Sequence, residues 1–354
     1  MSKIRVMHVD DSALMRRVIA TLLSRDSSVE MVGAYANAKF ALAMINKLQP
    51  DLIILDVEMP EMDGLTALVE IRKKYPVLPV IMCSSLTKQG AETTIEALLR
   101  GANDYVAKPS QGGVRDEIFQ KMSYELISKI KALVKSNVTL MPPKLTPVAP
   151  KLCTKPFSLT ERVDILAIGV STGGPNALVA LLPKIAMDFP VPILIVQHMP
   201  PVFTNLLAES LSSKCKIKIK EAADGDFLVP GQALIAPGNY HMTIENHKNR
   251  QVIKLNQDPS ENYCRPAVDV LFRSVAKQWT SNVLAVVMTG MGQDGLLGCQ
   301  TIKEHGGQVI VQDEPTSVVW GMPGAVVKAS LADQIVPLNE LAGIITQRVL
   351  RKRV

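Results

Sequence analysis

The sequence predicts an α/β protein of two doubly wound units joined by a proline-rich connector, and three observations carry that reading. Short β-branched runs alternate with amphipathic segments from Lys3 to about Lys135, and a second alternation of the same kind begins at Asp164. Between them the chain reads LMPPKLTPVAPKLCTKPFS over 140–158. Length agrees with two units, because 354 residues exceed what one hydrophobic core normally covers. A hydrophobic content of 47% with 20% charged residues is a globular balance, far from a disordered one.

In the first unit, strands are expected at 4–9, 29–34, 52–56, 80–83 and 104–106, with helical segments such as 14–24, 39–47 and 65–74 between them. Five β/α units in this order predict a parallel sheet with helices on both faces. The connector carries Pro142, Pro143, Pro147, Pro150 and Pro156. Proline sustains neither a helix nor a central strand, so an extended, semi-rigid linker is expected there. In the second unit, parallel strands are expected at 164–170, 193–197, 283–289 and 308–312. The runs 233–235, 242–245 and 252–255 read as an antiparallel hairpin insert around a turn at 246–249.

Several function classes fall away on composition. The N-terminal MSKIRVMHVDD lacks the cationic start, apolar stretch and cleavage site of a secretion signal, and the longest apolar runs are far too short to span a bilayer. A cytoplasmic protein without membrane insertion is therefore expected. Five scattered cysteines without CxxC spacing indicate neither a disulfide framework nor a zinc site. The net charge of +6 and pI near 9.0 favour acidic partners without choosing among them.

The first cluster of chemistry lies at the carboxyl edge of the first sheet. Strand one runs into Asp10 and Asp11, strand three ends at Asp56, strand four is followed by Ser84, and strand five by Lys108 and Pro109. Ligands of doubly wound sheets bind at that edge, beside the switch in strand order. Three carboxylates in one crevice call for a cation, and an oxygen-loving one such as Mg²⁺ suits them. A cation, an ammonium and a hydroxyl around one carboxylate are what a phosphoryl group on that carboxylate requires. Taken singly, each aspartate would read as a helix cap.

The second cluster is a serine, a histidine and an aspartate. Gly169-Val170-Ser171-Thr172-Gly173 fits a tight strand-to-helix turn that exposes a serine hydroxyl, with Pro175 in the first turn of the following helix. Such a turn equally suits a nucleotide-binding loop, although GxGxxG is absent. His198 follows the next parallel strand and so falls at the same edge as Ser171. Asp294 and Asp313 are both placed to orient the imidazole. The glycines at 290, 292 and 295 favour Asp294, because a tight glycine loop also offers backbone N–H groups to an oxyanion. His241, in the run APGNYHM, is a further possible member. The order Ser…His…Asp sets this unit apart from the α/β-hydrolases, where the acid precedes the histidine.

These motifs carry a family resemblance. Residues 1–122, with VDDS at 9–12, LDVEMPEMDG at 55–64, SS at 84–85 and DYVAKP at 104–109, resemble a flavodoxin-like response-regulator receiver domain. That likeness implies Asp56 as phospho-acceptor and Mg²⁺ held by Asp10, Asp11, Asp56 and the Glu58 carbonyl. It also implies Ser84 and Lys108 as partners of the phosphoryl group and Tyr105 as the aromatic of the switch. Residues 123–158 are taken as a helix end and linker. Residues 159–351 resemble the catalytic domain of the chemotaxis methylesterases, the CheB family. The runs that carry the likeness are AIGVSTGGP (167–175), PILIVQHMP (192–200), APGNYHM (236–242), RPAVDVLFRSVA (265–276), VVMTGMGQDG (286–295) and QDEPTSVVWGMPG (312–324).

By that second resemblance Ser171 is the nucleophile, His198 the base, Asp294 the orienting acid and the Met291 N–H an oxyanion donor. Demethylation of glutamate methyl esters, and deamidation of glutamines, on methyl-accepting chemotaxis receptors is implied. So are a chemotaxis histidine kinase as phosphodonor, a receiver that covers the site until Asp56 is phosphorylated, a monomer, and no cofactor for the esterase itself. Val170 departs from the family pattern toward a larger residue and is expected to crowd the pocket entrance. A response regulator with a DNA-binding output, or a non-catalytic nucleotide-binding output, is the competing expectation.

Overall fold

Residues 3–85, 87–108, 116–138, 162–248 and 250–351 are described by the structure, a computed structural model. The chain forms two compact units that divide between Met141 and Pro142, and the expected linker at 140–158 lies outside the described residues.

The first unit runs β1 (Ile4–Val9), α1 (Ala13–Leu23), β2 (Val29–Tyr35), α2 (Ala38–Leu48), β3 (Leu52–Asp56), α3 (Gly64–Lys74), β4 (Val80–Ser84), α4 (Lys88–Leu99), β5 (Asp104–Ala107) and α5 (Asp116–Val138). Each of the first four helices starts on a side-chain cap. Ser12, Asn37, Asp63 and Thr87 accept from the backbone N–H groups of Met15, Lys39, Thr66 and Gly90, and each such cap contributes about 1 kcal/mol. The strands pair in parallel in the order β2-β1-β3-β4-β5. β3 and β4 are buried at every residue, as strands covered on both faces must be. The order reverses between β1 and β3, so the residues ending those strands face one crevice. α5 continues past residue 122 to Val138, with Leu126, Ile130 and Leu133 buried at helical spacing.

The second unit runs β6 (Ile165–Val170), α6 (Gly174–Leu181), β7 (Ile193–Gln197), α7 (Phe203–Ser212), β8 (Lys218–Glu221), β9 (Gln232–Ile235), β10 (His241–His247), β11 (Arg250–Asn256), α8 (Val268–Trp279), β12 (Val283–Val287), α9 (Leu296–Glu304), β13 (Gln308–Gln312), α10 (Met322–Lys328), β14 (Gln334–Val336) and α11 (Leu338–Leu350). Its seven-stranded sheet has the order β14-β13-β12-β6-β7-β9-β8, and every pairing in it is parallel. β6 is the switch strand, with β7 on one side and β12 on the other.

Two sequence expectations need correction here. Residues 233–235 belong to the main sheet as β9 and not to the hairpin, because Leu234 and Ile235 are buried beside β7. The antiparallel hairpin is β10 with β11 alone, from His241 opposite Asn256 to His247 opposite Arg250. The strand expected at 283–289 stops at Val287, since the Thr289 N–H leaves the ladder for Gln312 Oε1 at 2.9 Å.

The core of this unit joins both sheets to α8. Leu271, Phe272 and Val275 of α8 share one buried cluster with Ile165, Leu194, Leu234, Ile253, Val283, Ala285 and Val287. The strands supply aliphatic residues to it, and the helix adds the ring of Phe272. Phe272 is fully buried, and truncating it to alanine in this setting costs about 3–5 kcal/mol.

Candidate active site

At the carboxyl edge of the first sheet, Asp10 and Asp56 are buried and Asp11 is exposed, and one oxygen from each lies within 4.8 Å of the others. Lys108 Nζ reaches Asp56 Oδ2 at 2.7 Å and Asp10 Oδ2 at 3.1 Å. Burial raises the Asp56 carboxyl to about 6; Lys108 opposes that rise and the Asp10 charge adds to it. Apart from the Lys108 ammonium, Asp10 Oδ2 and Asp56 Oδ2 have no hydrogen-bond partner among the described residues. An all-oxygen donor set with two under-satisfied buried carboxylates fits a hard divalent cation such as Mg²⁺.

The other expected members lie around this crevice. The Glu58 side chain is exposed, and its backbone N–H lies 3.4 Å from Asp56 Oδ1. The Ser84 hydroxyl is buried and engaged with the carbonyls of Ser85 and Gly90. Tyr105 is buried, with Lys129 Nζ 5.1 Å from its ring centroid, and burial pushes its phenol up. Pro109 lies outside the described residues.

In the second unit three strand ends converge. β6 delivers Ser171, β7 delivers His198, and β12 leads to the loop that carries Asp294. Gly173 turns the chain into α6 at φ 76°, a backbone conformation that disfavours side chains. A methyl on Gly290 would stand 2.9 Å from Ser171 Cβ, so only glycine lets the two loops approach this closely. Gln197 Nε2 donates to the Ser171 carbonyl at 3.0 Å and fixes the turn from below.

His198 Nδ1 lies 3.1 Å from Ser171 Oγ, and His198 Nε2 lies 2.7 Å from Asp294 Oδ2. With the carboxylate on Nε2, that nitrogen carries the proton and Nδ1 is the free acceptor facing the serine. Asp294 is buried, and burial alone would push its carboxyl up. The His198 hydrogen bond and charge and the N–H groups of Asp269 and Val268 outweigh burial, so it sits below its usual value. Burial likewise disfavours the imidazolium of His198. Cys264 beside the ring and the hydrogen-bonded Asp294 carboxylate outweigh it, so His198 is raised above its usual value.

The imidazole thus meets Asp294 and not Asp313, whose Oδ1 caps its own loop by accepting from the Thr316 N–H at 3.2 Å. His241 is buried between the Pro259 carbonyl and the Ala267 N–H, where it braces the chain entering α8. The Met291 N–H, on the loop between Gly290 and Asp294, makes no hydrogen bond to a protein acceptor among the described residues. Val170 does not crowd the pocket entrance: it is fully buried, against the start of α6.

Sequence reasoning missed Cys264, whose Sγ lies 3.5 Å from His198 Nδ1, and the pair Asn262 and Asp269 that adjoins Asp294. All three come from the segment between β11 and α8 or its junction with that helix, where no strand end marks a functional position. Cys83, Cys215, Cys264 and Cys299 are free thiols, and Cys153 lies outside the described residues.

Comparison with known proteins finds relatives of both units. The profile described as CheB methylesterase matches residues 166–345, and that described as response regulator receiver domain matches 6–120. A protein-glutamate methylesterase/protein-glutamine glutaminase of Trichodesmium erythraeum is 52% identical over 99% of this chain and 100% of its own length. A protein of the same name from Pyrococcus abyssi is 42% identical over 98% and 94%. The CheB methylesterase catalytic domain of Thermotoga maritima superposes with a TM-score of 0.52 at 39% identity, covering 52% of this chain and 98% of that one. Ser171, His198 and Asp294 all fall within the matched span, and a relative aligned over its full length carries both parts in one chain, so the chain belongs to the CheB methylesterase family and bears a response-regulator receiver domain at its N-terminal end.

Proposed function

We propose that the chain is a phosphorylation-activated protein-glutamate methylesterase and protein-glutamine glutaminase acting on methyl-accepting chemotaxis receptors. The observation that carries the hydrolase reading is one imidazole bridging Ser171 Oγ at 3.1 Å and Asp294 Oδ2 at 2.7 Å. His198 Nδ1 takes the Ser171 proton as Oγ attacks the ester carbonyl, and Asp294 stabilises the imidazolium that forms. The Met291 N–H supports the oxyanion. The imidazolium returns the proton to the departing methoxy oxygen, releasing methanol and leaving a glutamyl ester on Ser171. Water then attacks that ester with His198 again as base, and the product is a glutamate carboxylate and free serine. With a glutamine substrate the leaving group is ammonia.

Regulation is assigned to the receiver. A chemotaxis histidine kinase supplies the phosphoryl group to Asp56, and Lys108 pairs with it. Ser84 and Tyr105 respond to its presence. Mg²⁺, held by Asp10, Asp11, Asp56 and the Glu58 carbonyl, supplies positive charge against the phosphoryl oxygens when bound. The esterase itself uses no cofactor. The enzyme is proposed to act in the cytoplasm as a monomer. Among the described residues no helix is long and apolar enough to cross a membrane.

The test is methanol release from methylated receptor membranes, with and without a small-molecule phosphodonor and Mg²⁺. Release should rise with phosphodonor, lose that response in Asp56→Asn, and vanish in Ser171→Ala. Wild-type release by Ser171→Ala would overturn the hydrolase mechanism. Release indifferent to phosphodonor would overturn the switch alone.

A further inference from the structure

The segment that enters α8 makes a tight two-residue turn. Glu261 and Cys264 exchange both backbone hydrogen bonds, at 3.2 and 2.8 Å, and the central residues Asn262 and Tyr263 have φ of 51° and 62°. Positive φ at both centres is the mark of a primed hairpin turn, in which asparagine is favoured at the first centre. The turn has two inward consequences. Cys264 is set against His198, and the Asn262 carboxamide reaches in to the carboxylates behind it.

Asp294 Oδ2 accepts from His198 Nε2 and from the Val268 N–H at 2.7 Å each. Its Oδ1 accepts from the N–H groups of Asp269 and Gly295 and from Asn262 Nδ2, each at 3.0 Å. Apart from His198, Asn262 is the side chain among these donors. The same Nδ2 lies 2.9 Å from Asp269 Oδ2, while Asp269 Oδ1 takes the Gly298 N–H at 2.7 Å. One NH₂ group therefore stands between two buried carboxylates with a hydrogen for each, a fork that no hydroxyl or carboxylate at 262 can supply.

We propose that Asn262 is a positioning residue of the esterase, its carboxamide clipping Asp294 Oδ1 to Asp269 Oδ2 and so holding the other oxygen of Asp294 in line with His198 Nε2. This rests on the Ser171–His198–Asp294 reading above. The clip works because two like charges face each other across it. Without the NH₂ group no other side chain among the described residues bonds both Asp269 Oδ2 and Asp294 Oδ1, and their repulsion turns the Asp294 carboxylate away from the imidazole. The other ionisable groups around the clip are His198 and Cys264 on the substrate side, Arg273 with its partner Glu261 on α8 and the turn, and Cys299 on α9. Asn262 is itself exposed at the turn, so its substitution leaves the core untouched.

The experiment compares Asn262→Ala, Asn262→Gln and Asn262→Asp with the wild-type full chain. It reads kcat and KM for methanol release from pH 5 to 9, thermal melting, and the low-field proton resonance of the His198 Nε2–H. Loss of a donor to a buried carboxylate predicts a fall in kcat of roughly 10- to 100-fold for Asn262→Ala, with KM nearly constant. The low-field resonance should move in Asn262→Ala, and Asn262→Gln should recover part of the rate. Asn262→Asp should be slowest at alkaline pH, where it adds a third anion, and should recover toward Asn262→Ala as the pH falls. Wild-type kcat, pH profile and resonance in both Asn262→Ala and Asn262→Asp would overturn the proposal. So would a loss shared equally by kcat, KM and melting at every pH, which is what a merely structural turn gives. Ser171→Ala and Asp294→Asn run alongside: wild-type release by either overturns the triad reading itself, whereas their inactivity beside an unaffected Asn262→Ala overturns the clip alone.

Discussion

Cys264 Sγ lies 3.5 Å from His198 Nδ1, the same nitrogen that faces Ser171 Oγ. The thiol is partly exposed, and an imidazole able to take its proton stands beside it. An alkylating reagent such as iodoacetamide is expected to attach at Cys264, fill the space before Ser171 and stop methanol release. Cys264→Ala should withstand the reagent. Inactivation of Cys264→Ala at the wild-type rate would place the sensitive thiol elsewhere.

Ser171, His198 and Asp294 form one connected unit, so their losses should not add. Ser171→Ala should lower kcat by about 10⁴-fold or more, and adding Asp294→Asn should cost little beyond it. Single-turnover rates of the two single variants and the double variant check this. Additive losses would mean that Asp294 acts apart from the serine.

Gly290 is tied to Ser171 by proximity. A Cβ there would lie 2.9 Å from Ser171 Cβ and 2.3 Å from Met322 Sδ. The methionine end can move aside, but the serine Cβ is fixed to its turn. Gly290→Ala is expected to displace Ser171 from His198 and lower kcat at least tenfold while the chain still folds, since a shift of about 1 Å at reacting atoms is enough for such a loss. Circular dichroism beside the rate measurement separates this from unfolding.

His8 gives a pH prediction. Its ring is fully buried in β1, and neither nitrogen has a hydrogen-bond partner among the described residues. Burial, with Lys108 and Arg16 nearby, lowers it from 6.5 to about 3. The unfolded chain therefore binds a proton at this position before the folded one does. Stability owed to neutral His8 is complete above pH 6.5 and falls as the pH drops from there toward 3, by up to about 1.4 kcal/mol per pH unit. Denaturant unfolding of the receiver transition at pH 7.5 and 5 should show that slope, and His8→Leu should flatten it. An unchanged slope in His8→Leu would assign the acid sensitivity to other groups.

Much of the site could be read from the sequence because parallel sheets put functional side chains where strands end. Ser171 and His198 each follow an apolar run directly, so placing the runs placed the residues. Choosing Asp294 over Asp313 needed more than spacing: β12 adjoins the switch strand β6, while β13 stands one strand further out. β8 was missed because Lys218–Glu221 reads KIKE, which is how an edge strand with one apolar residue looks. Asn262, Cys264 and Asp269 were illegible for a different reason. Their roles depend on a turn whose positive φ values bring three loops together, and no periodicity records that.

The His198 imidazole joins a partner 27 positions away to another 96 positions away, across three strands of one sheet. No stretch of the chain short of most of the second unit holds all three groups. Turnover is therefore a sensor of global integrity for that unit: a single nick anywhere between Ser171 and Asp294 that lets the strands separate silences the enzyme at once, with no partly active remnant.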